Sequence, residues 1–219
     1  PVGGRREVRL AVTDRQAERN GDVLGFARTG YGINVMPGEV TWQAATSLNV
    51  FGQPLDRVVA TVPRRLEITN VESSGLQGWE LADDPDVPGA TRIVMDYRQP
   101  FSGSRRIVFK GVMATQVGAP WRVPRLGLVR VTSHVGQVLL QHPPGVRLQV
   151  VDTTGVRRTA GAVALKGMPA GTEAMRFDVW RENFSLSFVT ETKRQELQAG
   201  ISTILEIGDR GLDLLTVAT

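Results

Sequence analysis

Alternation of apolar and polar residues with a period of two runs through nearly every hydrophobic segment of this chain. Val40, Trp42, Ala44, Thr46 and Leu48 share one side of a run whose other side is Glu39, Thr41, Gln43, Ala45, Ser47 and Asn49. The same rhythm places Val8, Leu10 and Val12 together, then Ile93, Met95 and Tyr97, then Ile107 and Phe109. It returns in Val146, Leu148 and Val150, in Met175, Phe177 and Val179, and in Phe184, Leu186 and Phe188. Successive side chains of a strand point to opposite faces, so each segment reads as a strand with one face on a core and the other in water. Antiparallel sheets carry that pattern, because one of their faces can stay wet.

Turn signals separate these segments at short intervals: Asn20-Gly21-Asp22, Met36-Pro37-Gly38, Ser74-Gly75, Pro88-Gly89, Ser102-Gly103, Pro143-Pro144-Gly145 and Pro169-Ala170-Gly171. Each supplies a fixed or positive φ that a strand does not hold. The stretch from Thr192 to Ile207 contains many helix formers, yet Leu197, Ala199, Ile201, Thr203, Leu205 and Ile207 line up at period two, so it reads as a long strand with a helix as the alternative. Residues 116–125, with two prolines and a glycine, read as a linker. The expected fold is therefore all-β, with two antiparallel sandwich-like domains at 1–115 and 126–219; one elongated β-sandwich is the alternative.

Charge narrows the partners. The 219 residues hold 26 basic and 22 acidic side chains, and all the basic ones but Lys110, Lys166 and Lys193 are arginine. They come as scattered pairs such as Arg5-Arg6, Arg64-Arg65, Arg105-Arg106 and Arg157-Arg158, interspersed with acids, and this spacing argues against nucleic-acid binding. No apolar run reaches the roughly 18–20 residues of a membrane-spanning helix. The absence of cysteine removes disulfides, thiolate metal sites and a cysteine nucleophile.

Phosphate-binding loops, nucleophile elbows and dinucleotide fingerprints are absent, as is a His-Glu-x-x-His motif. The two histidines, His134 and His142, flank an expected strand at 135–141 and read as surface or hairpin-end residues. Asp83, Asp84 and Asp86 form the densest acidic cluster and the only metal candidate; they fit a charged turn better than a calcium loop, which needs six to eight oxygens. Among aromatics, Trp42 belongs to the core side of its strand, Trp121 lies in the linker, Trp180 shares a face with Arg176 and Asp178, and Tyr31 sits between Gly30 and Gly32 as in an exposed loop. Tyr31 and Trp180 are thus the candidate ligand-binding residues. No catalytic residue and no cofactor is expected.

Pro37-Gly38-Glu39-Val40-Thr41-Trp42, the run from Val62 to Val71 and Trp79-Glu80-Leu81 resemble β-sandwich segments of large, uncharacterised bacterial envelope proteins, over roughly residues 37–113. The resemblance implies an architecture and an envelope or secreted location, and carries no activity with it. The chain begins at Pro1 and ends in the apolar run 212–219, which reads as a segment cut from something larger. A faint echo between residues 6–12 and 195–201 would make it a repeat. The expected function is a non-catalytic structural or adhesive β module whose partners are flanking domains of the same chain; the alternative is a carbohydrate-binding module attached to an enzyme.

Overall fold

The structure, a computed structural model, describes residues 24–159, 172–193, 201–208 and 211–218. The segment 6–12, and with it the echo, lies outside the described residues, as does 194–200. Among the described residues there is no helix. The strands are β1 (Leu24–Met36), β2 (Glu39–Pro63), β3 (Glu67–Ser73), β4 (Leu76–Asp83), β5 (Ala90–Ala114), β6 (Pro120–Arg122) and β7 (Gly127–Leu128). They continue with β8 (Ser133–His142), β9 (Val146–Thr154), β10 (Val156–Arg158), β11 (Glu173–Val179), β12 (Ser185–Thr192), β13 (Ile201–Gly208) and β14 (Gly211–Ala218). Residues 201–208 are strand, so the helix alternative fails there.

A nine-stranded sheet has the order β10-β11-β8-β1-β2-β5-β3, with β4 beside β5 and β7 beside β2. A three-stranded sheet, β6-β12-β9, packs against its inner face, and rings make the contact: Phe177 meets Phe188 at 6.1 Å and Tyr31 meets Phe184 at 5.7 Å. The expected alternation is realised in β2, where Val40, Trp42, Ala44, Thr46 and Leu48 are all buried. It fades in β9, where Val146 is buried but Val150 is exposed. That strand is the edge of the small sheet, and its far half has no cover.

Two expectations change. The sheet is not purely antiparallel: β1 and β8 pair in parallel, from Phe26 opposite Ser133 to Asn34 opposite Gln141. A parallel pair needs a long crossover, and here about 100 residues of chain intervene. The stretch 116–125, read as a linker, is built into the fold instead. It contains β6, Trp121 and Val123 are buried in the common core, and the Trp42 Nε1–H donates to the Pro124 carbonyl at 3.0 Å. Its prolines terminate pairing without carrying the chain away from the core.

Within the large sheet, β8, β1 and β2 share a buried polar contact. Thr29 Oγ1 lies 2.8 Å from Thr46 Oγ1 and 2.6 Å from His134 Nε2. The two threonines are direct cross-strand partners. Gly136, two residues on from His134, stands opposite Thr29, and a Cβ on it would come 2.3 Å from the Thr29 carbonyl oxygen. Only glycine lets the two backbones approach this closely.

Candidate functional site

The large sheet has a second face, and its five central strands bring a defined set of side chains to it. Register aligns them in four rows running from β5 through β2, β1 and β8 toward β11. The first row is Arg106, Ser47, Arg28 and Val135. The second is Val108, Ala45, Gly30, Gln137 and Asp178, and the third is Lys110, Gln43, Gly32, Leu139 and Arg176. The fourth is Val112, Thr41, Asn34, Gln141 and Ala174. Every odd-numbered residue along β1, from Gly25 to Val35, is buried, while Arg28, Gly30, Gly32 and Asn34 are exposed. A Cβ built at Gly30 or Gly32 would meet none of the described residues within 4 Å, so β1 forms the low middle of this face.

Its electrostatics are uneven. Lys110 Nζ is held by Glu72 Oε1 at 2.7 Å. Asp178 accepts hydrogen bonds from Gln137 Nε2 and Thr159 Oγ1, both at 3.1 Å. Among the described residues, Arg28, Arg106 and Arg176 have no carboxylate partner, and Asp178 is the one carboxylate in the four rows.

The sequence candidates distribute unevenly over the fold. Trp180 follows the last residue of β11 on the side of Arg176 and Asp178 and is 52% exposed, at the border of the outer face. Tyr31 is a correction: it is 3% exposed, in the middle of β1, not in a loop. The glycines on either side of it lie on the outer face, and the tyrosine turns inward, where its hydroxyl contacts the Leu126 carbonyl at 3.5 Å. Burial pushes that hydroxyl's pKa up strongly, against the lowering effects of Leu126 and Arg125. A pair of exposed aromatics made of Tyr31 and Trp180 therefore does not form.

Both histidines are buried rather than superficial, although they do sit at the two ends of β8. Burial lowers the His134 pKa, and the charge of Arg125 adds to the effect. His142 Nδ1 lies 3.1 Å from the Pro143 carbonyl.

The acidic turn is answered by arginine. Asp83 pairs with Arg64, while Asp84 and Asp86 share Arg92 Nη2 at 3.1 and 2.8 Å. Asp84 Oδ1 also accepts from the Asp86 backbone N–H at 3.0 Å. The repulsion of adjacent carboxylates is thereby relieved by guanidinium groups. No cluster of three metal-ligating side chains occurs among the described residues.

The turn also separates two hollows. The larger, about 440 Å³, is lined by Leu48, Leu55, Val58, Asp86, Arg92 and Arg130, and Arg130 holds a positive φ of 63°. The smaller, about 290 Å³, is lined by Val87, Pro88, Arg122, Arg125 and Phe184 among others. Nothing in the sequence singles out Arg28, Arg106 and Arg176 as site residues. Their signal was their place on the polar side of the alternation, which reads as ordinary solvent exposure until strand order brings three of them onto one face.

No family model and no curated protein matches the sequence. Among solved structures the chain is similar to an M1 zinc metallopeptidase from Deinococcus radiodurans, with 9% identity and a TM-score of 0.46 over 90% of this chain and 46% of that one. It is also similar to native yeast LTA4 hydrolase, with 12% identity and a TM-score of 0.49 over 88% of this chain and 31% of that one. The chain spans less than half the length of these structures.

Proposed function

We propose that this chain is a non-catalytic β module, structural or adhesive, belonging to a larger bacterial envelope or secreted protein, and that it works by presenting the outer face of its large sheet. The observation that carries this reading is the contrast in how polar groups are spent. Those of the acidic turn are committed to one another in ion pairs, and Thr29, Thr46 and His134 are sealed in the core. On the outer face Lys110, Gln137 and Asp178 are engaged, but among the described residues Gln43, Gln141 and Asn34 make no side-chain hydrogen bond and three arginines have no counter-charge. Flanking domains of the same chain are the expected neighbours, and nucleic acid is not an expected partner.

Cosedimentation of the purified chain with washed, delipidated bacterial envelope fragments tests the reading. Retention that is lost in Arg28→Glu and kept in Arg130→Ala, which alters the large hollow instead, supports it. Retention indifferent to Arg28→Glu, or no retention, counts against a role for the outer face.

A further inference from the structure

We infer that the outer face of the nine-stranded sheet binds an acidic polysaccharide, an extended chain of sugars bearing carboxylates. The inference rests on the adhesive reading above and names the ligand class. Three observations lead to it.

The first is the arrangement of positive charge. Arg106 and Arg28 stand in one row, two strands apart, and Arg176 stands two strands beyond Arg28 and two rows along. At about 4.8 Å per strand, the band from β5 to β11 is roughly 19 Å wide. A linear polyanion laid obliquely across the strands meets all three guanidinium groups in turn. Arginine suits carboxylates in particular, because its planar fork donates two parallel N–H···O bonds.

The second is what lies around the arginines. Ser47 stands between Arg106 and Arg28, and Gln43, Thr41, Asn34 and Gln141 border the band; they offer hydroxyls and amides, neutral groups that both donate and accept. Sugar hydroxyls need that double capacity, so a face that sets guanidinium groups beside amides and hydroxyls matches a chain that carries both carboxylates and hydroxyls; its one carboxylate in the four rows, Asp178, is already engaged by Gln137 and Thr159. A single-stranded nucleic acid would instead require aromatic platforms for its bases. The four rows contain none; Trp180 stands at one border, and the pair Phe26–Phe51, 5.9 Å apart, at another, beyond the Arg28 row.

The third is shape. With glycine at positions 30 and 32 the centre of the face is open, and none of the described residues occupies the space. Glycine inside a strand is destabilising, and interior strand glycines often mark places where a ligand or another backbone approaches closely.

The test uses affinity electrophoresis of the full 219-residue chain through gels containing polygalacturonate, alginate, neutral dextran or oligodeoxythymidylate. The expected result is retardation by both uronate polymers, weakened by salt, with none by dextran and clearly less by the oligonucleotide. Combined Arg28→Ser, Arg106→Ser and Arg176→Ser should weaken uronate binding about tenfold, as three exposed charge contacts of a fraction of a kcal/mol each would give. Circular dichroism checks that the triple variant is folded. Gly32→Glu, which adds one carboxylate to the open centre, gives a second route to the same loss. Absence of retardation by either uronate polymer overturns the inference. So does retardation unchanged in both variants, or retardation by the oligonucleotide as strong as by the uronates. If uronates fail while Arg28-dependent retention on envelope fragments persists, the ligand class is wrong and the adhesive reading stands. If both fail, the reading falls with it.

Discussion

The two faces of the same five strands obey different rules. On the inner face of β2, Val40, Trp42, Ala44 and Thr46 are fully buried, and each is fixed by what it packs against. One residue away, Thr41, Gln43, Ala45 and Ser47 touch little, and their meaning comes from neighbours on other strands. Inner positions are constrained by volume, because protein interiors are close-packed and a methylene more or less is felt. Outer positions are constrained by whatever the sheet meets. Stability should therefore depend on the first set and binding on the second.

The largest effect expected from this contrast is at Trp42. Its ring is fully buried, it packs against Tyr31 at 6.2 Å between centroids, and its Nε1–H bonds to Pro124. Trp42→Ala should cost about 3–5 kcal/mol in urea denaturation. A loss below about 1 kcal/mol would mean that the inner face is not the seat of stability.

That part of the molecule was legible in advance, and the reason is local. A buried strand face needs an apolar residue at every second position, and sequence displays period two directly. Tyr31 was misplaced for the complementary reason. Gly30 and Gly32 look like loop punctuation, and nothing local shows that they lie on the open face of a central strand. Strand order was equally hidden. The pairing of β1 with β8 joins segments about 100 residues apart in sequence, and alternation states which way a side chain points but never which strand lies beside it. The arginine band depends on that order, as does the burial of His134 beside Thr29, so neither could be read from the sequence. The prolines of 116–125 misled because the same residues end strands and build linkers.

Glycines sharpen the comparison, because both faces have them. Gly136 lies where a Cβ would strike the Thr29 carbonyl, and backbone cannot move aside as a flexible side-chain end can. Gly136→Val should destabilise by about 1–3 kcal/mol or more, as overpacking does. Gly30→Thr, on the open face of the adjoining strand, should instead stabilise by about 0.5–1 kcal/mol, since it removes the entropic penalty of a strand glycine and meets no obstruction. Thermal melts of the two variants should move in opposite directions. If both destabilise, the outer face of β1 is packed against something.

Acid provides a third way to separate the faces. His134 is buried, and its pKa is lowered by that burial and by Arg125. The unfolded chain therefore takes up this proton at a higher pH than the folded one. Stability from the neutral imidazole is complete above the unfolded value of about 6.5 and declines as pH falls from there through the lowered folded value. The arginines of the outer face keep their charge throughout. Denaturation midpoints measured at several pH values should fall below pH 6.5, and His134→Gln should flatten that part of the profile. An unchanged slope in the variant would assign the acid sensitivity elsewhere. Binding through the outer face should follow this profile only where unfolding begins.

The smallest effect is expected at Trp180, and it is informative because the residue is as large as Trp42. With 52% of its surface exposed, it already keeps much of its apolar area in water in the folded state, so truncation loses little transfer free energy and opens no cavity. Trp180→Ala should shift stability by about 0.5 kcal/mol or less. The backbone N–H of Trp180 donates to the Gly155 carbonyl at 3.2 Å, and the substitution leaves that bond intact. The same variant should reduce retention by uronate gels if the ring takes part at the border of the arginine band, and leave it unchanged if the band acts alone. A stability loss approaching that of Trp42→Ala would place Trp180 against a covering partner within the same chain, and the outer face would then be partly interior.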